Sequence, residues 1–202
     1  PLEVYGRPTN LFVADFIGSP SINFIEVKAK QKGADIAIEM LDGIKAVFKP
    51  SEPLNLDEEA KKRDEILAQK AQEKELAAKQ KGYVEKENAD RRFNYSFAKT
   101  TGVVFSEDEY EVSEDTYVIG IRPEFIKTVE GKGIQAEVYS ALPTGSETTV
   151  KLKIGDYILT SVIYGGVDYK IGDTINVEFA TSPILLFATV SSNLLSIGSI
   201  KM

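Results

Sequence analysis

The feature that most constrains this chain is a period-two alternation of apolar residues towards both ends, cut by one long charged stretch that lacks it. Successive side chains of a strand point to opposite faces, so alternation marks strands with one buried face. In residues 22–49 a strand over 23–30 carries Phe24, Ile25 and Val27, and a second carries Ile36, Ile38 and Met40. Asp42-Gly43 then supplies a tight hairpin turn before Ile44, Ala46 and Phe48, and Lys49-Pro50-Ser51 breaks the pattern. Alternation returns in residues 116–202: Tyr117, Ile119 and Ile121; then Ile134, Ala136 and Val138; then strands over 148–154 and 157–163 joined at Gly155-Asp156. The turn at Ile171-Gly172-Asp173 precedes Ile175, Val177 and Phe179, and residues 184–190 form a last apolar run. Many short strands with close turn signals predict a mainly β chain built as a small barrel.

Residues 51–115 are of another kind. From Leu56 to about Gly82 the strong helix formers Ala, Glu, Lys, Gln and Leu dominate. Asp57–Lys61, Glu58–Lys62, Glu59–Arg63 and Glu75–Lys79 place acid before base at i, i+4. Leu56, Ala60, Leu67, Ala71 and Ala78 make a thin apolar stripe, which predicts a largely solvated helix. Phe93, Tyr95 and Phe97 alternate further on, Val103-Val104-Phe105 is a short apolar run, and residues 107–115 are strongly acidic. The stretch holds 17 Asp and Glu against 11 Lys and Arg; of the chain's 31 and 24, the remainder holds 14 and 13. Most of the net charge of −7 therefore belongs to the insert rather than to the β-rich body.

Residues 1–19 predict a short helical tail. Thr9 or Asn10 caps the helix, Leu11, Phe12, Phe16 and Ile17 form its apolar face, and Gly18-Ser19-Pro20 ends it. So short a helix is marginal alone and its face needs a partner.

Composition removes several functions. The sequence has no Cys and no His, so disulfides, thiolate or imidazole metal sites and the usual general base are absent. No Gly-x-x-x-x-Gly-Lys-Ser/Thr loop occurs, so neither ATP binding nor catalysis is expected of this chain. No metal or cofactor is expected. An acidic chain without a basic, aromatic-studded patch is not expected to bind nucleic acid. No apolar run reaches the length of a membrane span and no export signal follows Pro1; the expected compartment is cytoplasmic.

Four stretches together resemble a known family. The opening Tyr5-Gly6-Arg7-Pro8-Thr9-Asn10-Leu11-Phe12-Val13-Ala14-Asp15-Phe16-Ile17-Gly18-Ser19-Pro20-Ser21-Ile22-Asn23-Phe24 is similar to the junction between the ATPase domain and the C-terminal regulatory domain in ATP-binding subunits of sugar-type (maltose or multiple-sugar) ABC importers. Ile119-Gly120-Ile121-Arg122-Pro123-Glu124 is similar to the family's Gly-Ile-Arg-Pro-Glu motif. Gly145-Ser146-Glu147-Thr148 resembles its Gly-Ser-Glu-Thr turn, and Tyr169-Lys170-Ile171-Gly172-Asp173-Thr174-Ile175 its Gly-Asp turn. Three departures stand out: the 51–115 insert, Phe125 and Leu185 where the family often has His, and Ala141-Leu142-Pro143-Thr144, which lengthen the turn before Gly145.

The resemblance implies an OB-like TOBE β-barrel regulatory domain over 20–50 and 116–202, a charged helical insert over 51–115, and residues 1–19 as the end of a missing ATPase domain. That missing domain would hold the ATP and Mg. Implied partners are the chain's own ATPase domain, a second copy in a homodimer, membrane permease subunits reached through the ATPase domain, and a regulatory protein. The implied location is the inner face of the cell membrane. Phe12, Phe16, Gly18, Ser19, Pro20 and Asn23 would form the interdomain joint. Arg122, Pro123, Glu124, Gly145, Ser146, Glu147 and Thr148 would make regulatory or dimer contacts. A local Arg122–Glu124 ion pair and a plain hairpin turn at Gly145 are the blander alternatives. Two other functions stay open: a small-oxyanion-sensing TOBE barrel, marked by basic residues converging with turn amides, and an interaction module acting through the insert.

Overall fold

The computed structural model describes residues 2–80, 114–179 and 183–202. Phe93, Tyr95, Phe97, the Val103-Val104-Phe105 run and most of the acidic run over 107–115 lie outside the described residues.

The first β unit is a closed antiparallel barrel. β1 (Asn23–Lys32), β2 (Asp35–Met40) and β3 (Ile44–Pro50) come from the N-terminal block; β4 (Thr116–Ile121), β10 (Ile184–Phe187) and β11 (Leu194–Lys201) complete the ring in the order β1-β2-β3-β11-β10-β4. Ile25 opposes Ile119, Ile38 opposes Ala46 and Ile36 opposes Phe48, so the alternating apolar sets share the interior. Closure leaves no edge strand to pair with another chain. Leu41, Asp42 and Gly43 all turn with positive φ between β2 and β3. Gly198 lies where β11 crosses β3, and a Cβ there would run into the Lys49 carbonyl and the Phe48 ring.

The second unit is a five-stranded sheet in the order β5-β9-β6-β7-β8. Its strands are β5 (Ile126–Val129), β6 (Ile134–Thr144), β7 (Glu147–Ile154), β8 (Tyr157–Tyr164) and β9 (Thr174–Phe179). Ala141-Leu142-Pro143-Thr144 do not lengthen a turn. They continue β6, with Leu142 opposite Thr149 and Pro143 opposite Thr148, and the chain reverses at Gly145-Ser146. Pro143 lacks an amide proton and is tolerated because β9 pairs only with the first part of β6. The sheet curls until its two outer strands meet, and the Ser161 hydroxyl donates to the Ile126 carbonyl at 2.8 Å.

The two units share one apolar core. Phe48, Ile119 and Ile121 of the barrel belong to the same cluster as Ile126, Leu152 and Leu159 of the sheet. Each such side chain contributes roughly 2–3 kcal/mol on leaving water. Asn23 fastens the seam with polar contacts. Its amide donates to the Ile121 carbonyl at 3.1 Å and the Thr160 carbonyl at 2.9 Å, and its Oδ1 accepts from the Thr160 amide at 2.7 Å.

Three helices complete the description: α1 (Leu2–Gly6), α2 (Leu11–Phe16) and α3 (Leu56–Ala78). Asn55 caps α3 by accepting from the amides of Asp57 and Glu58. Leu56 is buried, and its amide donates to Gln31 Oε1 on β1 at 3.0 Å. Arg63 donates to the Glu114 carbonyl, tying the second turn of the helix to the chain entering β4. Beyond that the apolar stripe is spent on solvent, with Leu67 46% exposed. Of the expected acid–base pairs Glu75–Lys79 forms at 2.8 Å, whereas Lys62 reaches Glu59 and Arg63 reaches Asp64.

Replacing Asn23 by Ala removes all three seam contacts from a buried position. The expected loss is about 2 kcal/mol of unfolding free energy, read by urea denaturation. A loss below about 0.5 kcal/mol, the scale of an ordinary surface change, would mean that the apolar core alone sets the seam.

Candidate interdomain joint

The N-terminal segment is held to the barrel at two places. At the first, Asn10 caps α2 by accepting from the Val13 amide at 2.9 Å, and the backbone around it joins the β10–β11 connection. The Leu11 amide donates to the Ser192 carbonyl and the Leu194 amide to the Thr9 carbonyl, each at 3.0 Å. Leu11 and Ala14, both fully buried, enter a second apolar cluster with Ile22, Phe24, Val118, Leu185 and Phe187. Phe24 and Phe187 meet edge to face with centroids 6.1 Å apart.

The second place is Arg122, at the end of β4, 2% exposed. Its Nη1 donates to the carbonyls of Ala14, at 3.0 Å, and Ile17; its Nη2 donates to the Tyr5 carbonyl at 3.0 Å. The guanidinium lies over the Tyr5 ring, 4.1 Å from its centroid, a favourable placement for a cation on an aromatic face. The Tyr5 hydroxyl in turn donates to Glu124. One guanidinium thus gathers three carbonyls and one ring from residues 5–17. Gly18 is required beside it: φ is +121°, and a Cβ would stand 3.2 Å from Arg122 Nη1.

The charges of this cluster respond to burial. Desolvation pulls Arg122 below its ordinary range, opposed by Tyr5, Glu124 and Asp15. Burial likewise raises Asp15, with Arg122 opposing. Tyr5 is pushed up to about 12, by desolvation first and by its hydrogen bond to Glu124 second. Arg122 Nε is buried without a hydrogen-bond partner among the described residues.

The expected site residues fall into separate places. Phe12 and Phe16 do not share a face with Leu11: they stack on each other at 6.1 Å and 16° on the outside of α2, 51% and 79% exposed. Ser19 and Pro20 form the connection into β1. Asn23 points to β8, so it joins the two β units rather than the tail. Arg122 and Glu124 do not pair with each other; both engage Tyr5. Pro123, buried, opens a single 3-10 turn over Pro123–Phe125. Gly145, Ser146, Glu147 and Thr148 sit at the tip of the β6–β7 hairpin, and among the described residues no hydrogen bond links them to the Arg122 cluster. Tyr5 and the carbonyls of Ala14 and Ile17 carry no sequence signature, because a main-chain acceptor is the same in every residue. Among the described residues no group of three or more Asp and Glu is placed to hold a metal, and no helix is long and apolar enough to cross a membrane.

The fold is a small closed barrel joined to a five-stranded sheet and held to an N-terminal helix, and comparison with known proteins places it further. The chain is 28% identical over 175 residues to an uncharacterized ABC transporter ATP-binding protein of Sinorhizobium fredii, covering 87% of this chain and 31% of the relative. It is 49% identical over 43 residues to the alpha-glucoside transport ATP-binding protein AglK of Rhizobium meliloti, covering 21% and 12%. It is 55% identical over 40 residues to the sn-glycerol-3-phosphate import ATP-binding protein UgpC of Cupriavidus necator, covering 20% and 11%. The chain spans under a third of the length of these relatives. No protein-family profile matches it. The chain is thus similar to part of ABC importer ATP-binding subunits, and its OB-like barrel with a helical insert is consistent with their C-terminal regulatory domain.

Two outcomes follow for the joint. Arg122→Met strips the donor from three carbonyls and should cost about 3 kcal/mol in thermal or urea unfolding; a cost under about 1 kcal/mol would remove Arg122 from this role. The folded chain keeps the Tyr5 proton where the unfolded chain has lost it. Its contribution is therefore complete below the ordinary 10.0 and is lost as pH rises to about 12. Ultraviolet difference titration of the protein against Tyr5→Phe should place this phenol near 12, and Glu124→Gln should bring it down.

Proposed function

We propose that the chain is the regulatory and dimerising part of an ATP-binding subunit in an ABC importer of sugars or related polyols. The observation that carries the reading is the similarity, over 87% of this chain, to 31% of an ABC transporter ATP-binding protein, joined to a geometry suited to transmitting movement. A helix is fixed to the barrel through Leu11, Ala14 and Arg122, while Phe12 and Phe16 face away, ready to pack on an ATPase domain preceding Pro1. Movement of that domain on nucleotide binding would then reach the barrel without slack, and a regulator bound to either β unit would bias the open–closed equilibrium by its differential affinity. The same reading assigns ATP, Mg and the hydrolytic residues to the preceding domain. It gives the chain a cytoplasmic position beside the permease and a second copy as its partner.

The test is made in the complete subunit within its transporter. Phe12→Ser with Phe16→Ser should lower substrate-stimulated ATPase several-fold while leaving the unfolding transition of the β units within about 0.5 kcal/mol, as expected of exposed positions. Unchanged stimulation would contradict the coupling role. Light scattering of the complete subunit should give a dimer.

A further inference from the structure

Lysines scattered through the sequence converge on one outer face of the barrel. Strand register builds the face in rungs. Lys28 of β1 opposes Glu39 of β2, which opposes Lys45 of β3. In the next rung Lys30 opposes Ala37, Ala37 opposes Val47, and Val47 opposes Lys201 of β11. The four lysines are exposed, and among the described residues none of them makes an ion pair. Together they rim an open groove of about 570 Å³ whose floor is Ala37 and Val47 and whose one end is marked by Asp115. Four cations against Glu39 and Asp115 make this face basic on a chain of net charge −7.

The arrangement does not suit a compact oxyanion. Such an ion needs donors converging on a point, often main-chain amides, and the β1–β3 amides are committed to the ladder. The lysines instead follow the pleat. Lys28 and Lys30 are two residues apart, about 7 Å along the strand. Carboxylates at alternate positions of an extended peptide have the same period, and the small Ala37–Val47 floor leaves room for the side chains between them. We infer that this face docks an extended acidic segment of a partner protein, with Asp or Glu at alternate positions meeting Lys28, Lys30, Lys45 and Lys201. The inference rests on the barrel alone and stands whether or not the chain regulates an importer.

The full chain is titrated with a fluorescent peptide of repeating Glu-Thr at low ionic strength, followed by anisotropy. Binding should weaken as salt is raised and should fall about tenfold in a Lys28→Gln, Lys30→Gln, Lys201→Gln variant. It should not change in Lys151→Gln, Lys153→Gln on β7, and circular dichroism confirms that both variants fold. A peptide of the same composition with its glutamates in one block should bind more weakly. The inference is overturned if the triple variant binds as the parent does, if the block peptide binds equally well, or if inorganic phosphate at equal charge displaces the peptide. It is also overturned if replacing Glu107, Glu109 and Glu111 with Gln raises the affinity, since the chain's own acidic run would then be the occupant.

Discussion

Arg122 carries a guanidinium into a position 2% exposed, and leaving water is costly for a charge that finds too few partners. Two of its nitrogens meet that cost with carbonyls of Tyr5, Ala14 and Ile17, and its flat face with the Tyr5 ring. No carboxylate lies within ion-pair distance among the described residues. The carbonyls are therefore the main compensation, and all three belong to the N-terminal segment. Detaching that segment would strand the charge, so segment and barrel are energetically one object. Arg122 also stands between β4 of the barrel and β5 of the sheet, where the three parts of the molecule meet.

From that position the burial pattern of β4 follows. All six of its residues are buried: Tyr117, Ile119 and Ile121 face the shared interior, while Val118 is covered by the cluster that holds α2. The Asn23 side chain continues the same logic at the seam, satisfying polar groups of β8 and β4 with one amide. The insert leaves this frame between β3 and β4. Among the described residues its helix is tied to the barrel over its first two turns, at Gln31 and Glu114, and beyond them its residues are mostly exposed.

Where one face of a strand is buried, the sequence reads directly. β2, β3, β7, β8 and β9 alternate because their outer faces meet water or polar neighbours. β11 escapes such reading because two of its inward positions, Ser196 and Gly198, are not large apolar residues, while the outward Ile197 is half-buried against the α2 cluster. Gly198 is small because Lys49 and Phe48 come too close for a side chain. β5, four residues long with Ile126 its one buried member, carries too little pattern to be seen. The tail misleads for a different reason. Leu11, Phe12 and Phe16 are all apolar, but a six-residue helix buries one side, and Leu11 with Ala14 takes it. The Arg-Pro-Glu motif stands out in sequence, yet the partners of Arg122 are main-chain atoms more than a hundred residues away, which no motif encodes. The lysine face is likewise invisible until strand register brings Lys28, Lys30, Lys45 and Lys201 together.

The Arg122 contacts make the tail and the barrel one cooperative body. Native-state hydrogen exchange tests it most directly, by comparing the amides of Leu11, Ala14, Ile17 and Leu194 with those of Val118 and Ile119 in β4. The two sets should open together, with the same free energy and the same denaturant dependence. Exchange of the tail amides at near-unprotected rates while β4 stays protected would contradict it.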